Sequence, residues 1–180
     1  MKKTIIYFIM FVVISAIIGA CKSDEDGAAT TSSANTCTGT SSGSGPTFGS
    51  VTLEEATYLS SCFSKVKYQF EFKNNSSAQY TSYTFDDSSC SGTATSSTSV
   101  CMSSITVSST TVSRPVYHVD NNSQGDNATA YYTTGKYSHN SATAHMHFSA
   151  ESTSVFWYNV SGSQSELDSN SGYLFKLTKQ

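Results

Sequence analysis

The residues in this chain best suited to chemistry are His145 and His147, which flank Met146. On a strand, residues two apart share a face about 6.5–7 Å along the chain, a span across which two imidazoles can share a metal ion. His139 and His118 would complete such a site if neighbouring strands carried them close. The same stretch has a plainer reading. Ala142, Ala144, Met146 and Phe148 alternate as a core face, which leaves Thr143, His145, His147 and Ser149 as a polar face toward solvent. The sequence sets no acid or cysteine beside the histidines. The solvent face is therefore the expectation, with metal binding by His145 and His147 as its rival and a pH-dependent role as a third reading.

Val155-Phe156-Trp157-Tyr158-Asn159-Val160 is apolar on both faces. Such a strand either lies within a two-layer core or lines a pocket with one face, and core packing is the simpler expectation. If the domain holds a small apolar ligand, Trp157, Tyr158, Tyr131 and Tyr132 are the candidate binding residues. Arg114, the sole arginine, reads as a surface or strand-start residue, with an anionic ligand as the alternative.

Other patterns carry no chemistry. Gly39-Thr40-Ser41-Ser42-Gly43 matches a nucleophile elbow but lacks the strand and helix that would strain its serine outward. Ser64-Lys65-Val66-Lys67 matches a serine–lysine motif in a place where alternation calls for a strand. Asp86-Asp87 and Glu54-Glu55 are adjacent, so a strand would split each pair between two faces. The Asn127-Ala128-Thr129 sequon is unremarkable at this serine and threonine content. The chain reads as a non-enzyme with no cofactor.

The elements that position these residues are read from composition and alternation. Serine and threonine make up roughly a third of the residues, leucine is scarce, and Tyr, Phe, Val and Thr supply the bulk, a strand-forming mixture. A net charge of −3 argues against nucleic acid, which calls for a clustered basic face. Val66, Tyr68, Phe70 and Phe72 alternate with Lys67, Gln69, Glu71 and Lys73, Asn74–Ser77 reads as a turn, and Thr81, Tyr83 and Phe85 alternate back. Pairing around that turn sets Val66 opposite Phe85 and Tyr68 opposite Tyr83. It also brings Cys62 opposite Ser89, so that one bulge would reach Cys90. Further strands are expected at Ile105–Ser113, Pro115–Val119, Ala128–Thr133, Ala142–Ser149, Ser154–Ser161 and Gly172–Lys179, with a turn over Asp120–Asn127. Thr52 to Phe63, with Thr52 and Glu55 as a capping box, is the helix candidate. About eight short strands predict an all-β fold, an antiparallel barrel or sandwich, over residues 48–180.

The first residues set the address. Lys2 and Lys3 precede an apolar run, Ile5 to Ile18, of about 14 residues, the length of a signal-peptide core and short of a membrane span. The run ends in Ile18-Gly19-Ala20-Cys21, which resembles the lipobox of bacterial lipoproteins. That resemblance implies a signal peptide over residues 1–20 and lipidation of Cys21, whose acyl chains would anchor the protein to membrane lipid. Loss of Lys2 and Lys3 would take the charge from −3 to −5. Residues 21–47 offer little to bury and predict a flexible tether. With Cys21 lipidated, Cys37, Cys62, Cys90 and Cys101 remain, an even set that favours two disulfides over zinc, since no pair has a zinc-ribbon spacing. The register above favours Cys62–Cys90 and leaves Cys37–Cys101.

Thr57-Tyr58-Leu59-Ser60-Ser61-Cys62, the strand after it, and Tyr83-Thr84-Phe85-Asp86-Asp87-Ser88-Ser89-Cys90 resemble small lipocalin-like bacterial lipoproteins, as does the ending Gly172–Lys179. The likeness implies a lipocalin-like barrel but names no shared substrate. Lys22-Ser23-Asp24-Glu25-Asp26 is similar to acidic tethers that send lipoproteins to the surface in some Gram-negative lineages, which implies an outer-membrane address. The sequence thus predicts an anchored envelope protein that binds a small apolar ligand, with an adhesin or interaction module meeting an envelope or host protein as the alternative.

Overall fold

The computed structural model describes Cys37 and residues 43–118, 123–161, 163–169 and 172–180. Cys21, the signal peptide and most of the tether lie outside the described residues. Among the described residues, ten strands and one short helix run in the order β1 (Ser44–Phe48), β2 (Val51–Glu54), β3 (Thr57–Ser60), β4 (Val66–Asn74), β5 (Ser77–Thr84), β6 (Ser96–His118), β7 (Ser123–Tyr137), β8 (Thr143–Ser152), β9 (Val155–Ser161), α1 (Gln164–Ser169) and β10 (Leu174–Lys179). Strands β3 to β10 form a closed up-and-down barrel in which β10 returns between β9 and β3. The fold is all-β and lipocalin-like, and closure leaves its eight strands without the open edge a sandwich would have.

Alternation builds the interior. Tyr68, Phe70 and Phe72 of β4 point inward beside Tyr58, Phe148, Phe156 and Tyr158. Phe70 sits at the centre, its ring 5.0 Å from Tyr80, 5.1 Å from Tyr158, 5.6 Å from Phe148 and 5.7 Å from Phe156. An eight-stranded barrel is just wide enough either to be filled by side chains or to hold one small ligand, and here rings from five strands meet along its axis. Hairpin β1–β2 packs Phe48 and Leu53 into the fold, with Phe48 edge-on to Phe148 at 5.4 Å. Gly49 makes that approach possible: its φ is +62°, and a Cβ there would overlap the Tyr131 hydroxyl. Inside β3, Tyr58 accepts a hydrogen bond from Glu54 N (3.0 Å) and donates to Thr153 O (2.7 Å). Burial holds its phenol up at about 12.

Several expectations change. Thr52–Phe63 is not a helix. Strand formation wins, with Leu53 buried in β2 and Tyr58 and Ser60 alternating as buried residues in β3, the two joined by Glu55–Ala56. Strand β1 starts at Ser44, ahead of the expected domain start at residue 48. Expected strands 105–113 and 115–119 are one strand. Pro115 stands beside a register irregularity, between Pro115 and Tyr117, where a residue without an N–H is tolerated. Ser64 and Lys65 are turn residues, both at positive φ (50° and 74°), between the reciprocal Phe63–Val66 hydrogen bonds.

The β4–β5 register is also corrected. Asn74 pairs with Ser77, as the turn predicts, but a bulge at Lys73 then sets Phe72 opposite Ala78, Tyr68 opposite Ser82 and Val66 opposite Thr84. One extra residue exchanges the two faces of β5. Ala78, Tyr80 and Ser82 face inward, while Gln79, Thr81 and Tyr83 face out. Both disulfides form all the same, with Cα–Cα distances of 5.6 Å for Cys62–Cys90 and 5.0 Å for Cys37–Cys101. The loop after Phe85 spans the remaining gap, with Cys90 in the left-handed region (φ 52°).

Candidate functional site

A connected group of polar and titratable side chains lies on the outside of the barrel. Because Phe156 and Tyr158 point inward, Trp157 points out; because Met146 and Phe148 point inward, His145 and His147 point out. This outer face is not open to solvent. The long β6–β7 hairpin reaches past the barrel wall and folds across it, and its end adds to β10 in parallel, Val116 against Leu174 and Tyr117 against Phe175. Beneath it Val116, Ala130, Trp157 and Leu174 form a second apolar cluster. His118 stands edge-on to Trp157 at 5.5 Å and packs over Gly125, where any Cβ would strike its ring.

His147 is at the centre of the polar part and is 0% exposed. The expected solvent-facing histidine is thus a buried one, because a segment distant in sequence covers its face. Arg114 Nε donates to His147 Nδ1 (3.3 Å), and Arg114 Nη2 donates to Leu167 O (3.0 Å) and Asp168 O (3.4 Å) at the end of α1. Tyr132 stacks edge-on to the imidazole at 4.7 Å and donates its hydroxyl to Asp168 Oδ1 (2.8 Å). That bond holds the Asp168 carboxyl below its ordinary range and raises the Tyr132 phenol. Burial, then the neighbouring guanidinium, pushes His147 down to about 4, and the Asp168 charge offsets only part of this. With Nδ1 accepting, neutral His147 carries its proton on Nε2, for which the described residues provide no acceptor.

Helix α1 supports this arrangement. Ser163 Oγ accepts from Glu166 N (3.2 Å), and Leu167 is buried beneath the helix. Gln164 meets both His145 Nδ1 (3.3 Å) and Asp168 Oδ1 (3.1 Å). Sequence reasoning missed the helix, although Ser163-Gln164-Ser165-Glu166 has the spacing of a capping box.

The four candidate ligand aromatics are not brought together. Tyr158 belongs to the inner core, and Tyr131 faces Phe48 at 6.3 Å. Trp157 lies outside under the hairpin, and Tyr132 points outward from β7 onto His147. The histidines also diverge, with His139 on Tyr137 in the β7–β8 turn and His118 on Trp157. Among the described residues no group of three or more His, Cys, Asp or Glu could hold a metal ion. No described helix is long and apolar enough to cross a membrane. A separate open cleft of about 520 Å³, walled by Ser61, Cys62, Ser89, Lys67 and Lys176, contains none of the candidate aromatics or histidines. Comparison with family models, curated proteins and solved structures found no match to this chain.

Proposed function

We propose that this protein is a lipid-anchored lipoprotein of the bacterial outer membrane whose barrel serves as a folded interaction module toward an envelope or host protein. Its anchor rests on the Ile18–Cys21 lipobox resemblance. The observation that carries the choice of an interaction module over a ligand carrier is the ring packing around Phe70, because the side chains that would line an internal pocket touch one another instead. The hydroxyl-rich outer strands are then the working surface.

Two measurements test this. Cys21→Ser is expected to release the protein from the membrane fraction and abolish incorporation of labelled palmitate, and a variant that stays membrane-bound overturns the anchor. A fluorescent fatty acid titrated into the folded domain is expected to show no saturable binding. Saturable binding that Tyr158→Ala weakens would restore the carrier reading.

A further inference from the structure

The geometry points to the β6–β7 hairpin end being an acid-released strap, latched over the Trp157 face by the bond from Arg114 to neutral His147. The argument begins with hydrogen-bond chemistry. Arginine has donors only, so Nδ1 of His147 must be an acceptor for the 3.3 Å contact to be a bond. A protonated imidazole carries N–H on both nitrogens. Protonation therefore turns this bond into two donors, and two cations, held face to face with the imidazole itself shut off from solvent.

The groups around His147 set the balance. Arg114 from β6 opposes its charging, Asp168 from α1 favours it, and Tyr132 from β7 binds Asp168 rather than the imidazole. On β8 itself His145 is turned to Gln164, and Glu166 of α1 accepts from Ser161 Oγ (2.9 Å). His118, Glu151 and Lys176 lie farther on, around Trp157. The hydrogen bond from Tyr132 holds the Asp168 carboxyl below its ordinary range, which favours its charged form.

The strap can move as a piece. Its root carries register irregularities between Ser103 and Thr106 and between Val107 and Thr111, and its far end meets the barrel through the Val116–Leu174 and Tyr117–Phe175 pairs, the Tyr117 ring against Phe63, and the Tyr173 hydroxyl on Gln124. The barrel wall beneath is closed without it, since β9 pairs with β10 from Tyr158–Phe175 to Val155–Thr178. Release would expose Val116, Trp157 and Leu174, an apolar patch concealed at neutral pH.

Trp157 is the only tryptophan in the chain, so its emission reports the strap directly. The folded protein is taken from neutrality to below the His147 pKa of about 4 while tryptophan emission, acrylamide quenching and far-ultraviolet circular dichroism are followed together. A red shift and increased quenching are expected before the barrel signal changes. His147→Gln, whose amide oxygen can still accept from Arg114, is expected to lose that step. His118→Gln is expected to keep it. Arg114→Leu, which removes the donor at every pH, is expected to leave Trp157 quenchable already at neutral pH, with circular dichroism showing the barrel intact. The proposal is overturned if tryptophan and barrel signals move together in the wild-type protein, if His118→Gln removes the step, or if Arg114→Leu leaves Trp157 as protected as before.

Discussion

The molecule has two cores of different construction, and their contrast separates what holds this fold from what can respond to conditions. Inside the barrel, Phe70 is ringed by other aromatic side chains, and the Tyr58 phenol among them is satisfied by backbone. Outside, beneath the hairpin, Trp157 packs next to a buried histidine, an arginine and a helix end. Burial of apolar rings is indifferent to pH, whereas a buried imidazole accepting from a guanidinium is stable only while neutral. The first core should fail all at once and the second by itself.

Removing the centre of the inner core gives the largest expected effect. Phe70→Ala should cost about 3–5 kcal/mol and lower the urea midpoint of the whole domain, tryptophan signal included. If only the tryptophan signal moved, the two cores would have exchanged roles.

Acid is next. His147 has a folded pKa of about 4 against an ordinary 6.5, so the unfolded state binds the extra proton first as pH falls. The stabilisation is fully present above pH 6.5 and is lost toward pH 4, on the order of 3 kcal/mol in all. Urea titrations monitored at Trp157 across that window should show the loss, and His147→Gln should flatten it.

Gly49→Ala tests the junction of hairpin β1–β2 with the inner core. A Cβ there meets Tyr131 and the φ of +62° disfavours alanine, so a loss of about 1–2 kcal/mol is expected in thermal melts. Smallest of all, Lys73→Ala removes a half-buried surface partner of Glu71 and should change stability by less than about 0.5 kcal/mol.

The inner core was largely legible in the sequence because strand alternation is local. Val66 to Phe72 could be read directly, and so could the turn at Asn74 and the cysteine pairing. The faces of β5 were not, because a single bulge at Lys73 reverses them without altering the alternation. The second core was hidden for a different reason. Thr143, His145, His147 and Ser149 have the composition of a wet face, and what dries it is a hairpin contributed by residues some thirty positions earlier, together with a helix that follows. Arg114 looked like a solitary surface cation, and its partners are adjacent only after the hairpin has folded back.

The Cys37–Cys101 disulfide has a mechanical consequence. Cys101 lies within β6 opposite Gln79 of β5, and its carbonyl accepts from Ser138 N (3.0 Å) on the other side. Tension arriving along the chain ahead of Cys37 therefore enters the barrel wall at a strand gripped by both neighbours. It bypasses hairpin β1–β2, which would otherwise be peeled away one hydrogen bond at a time. The covalent link turns an end that could unzip into a fixed mooring and leaves Phe48 seated while the chain in front of it is pulled.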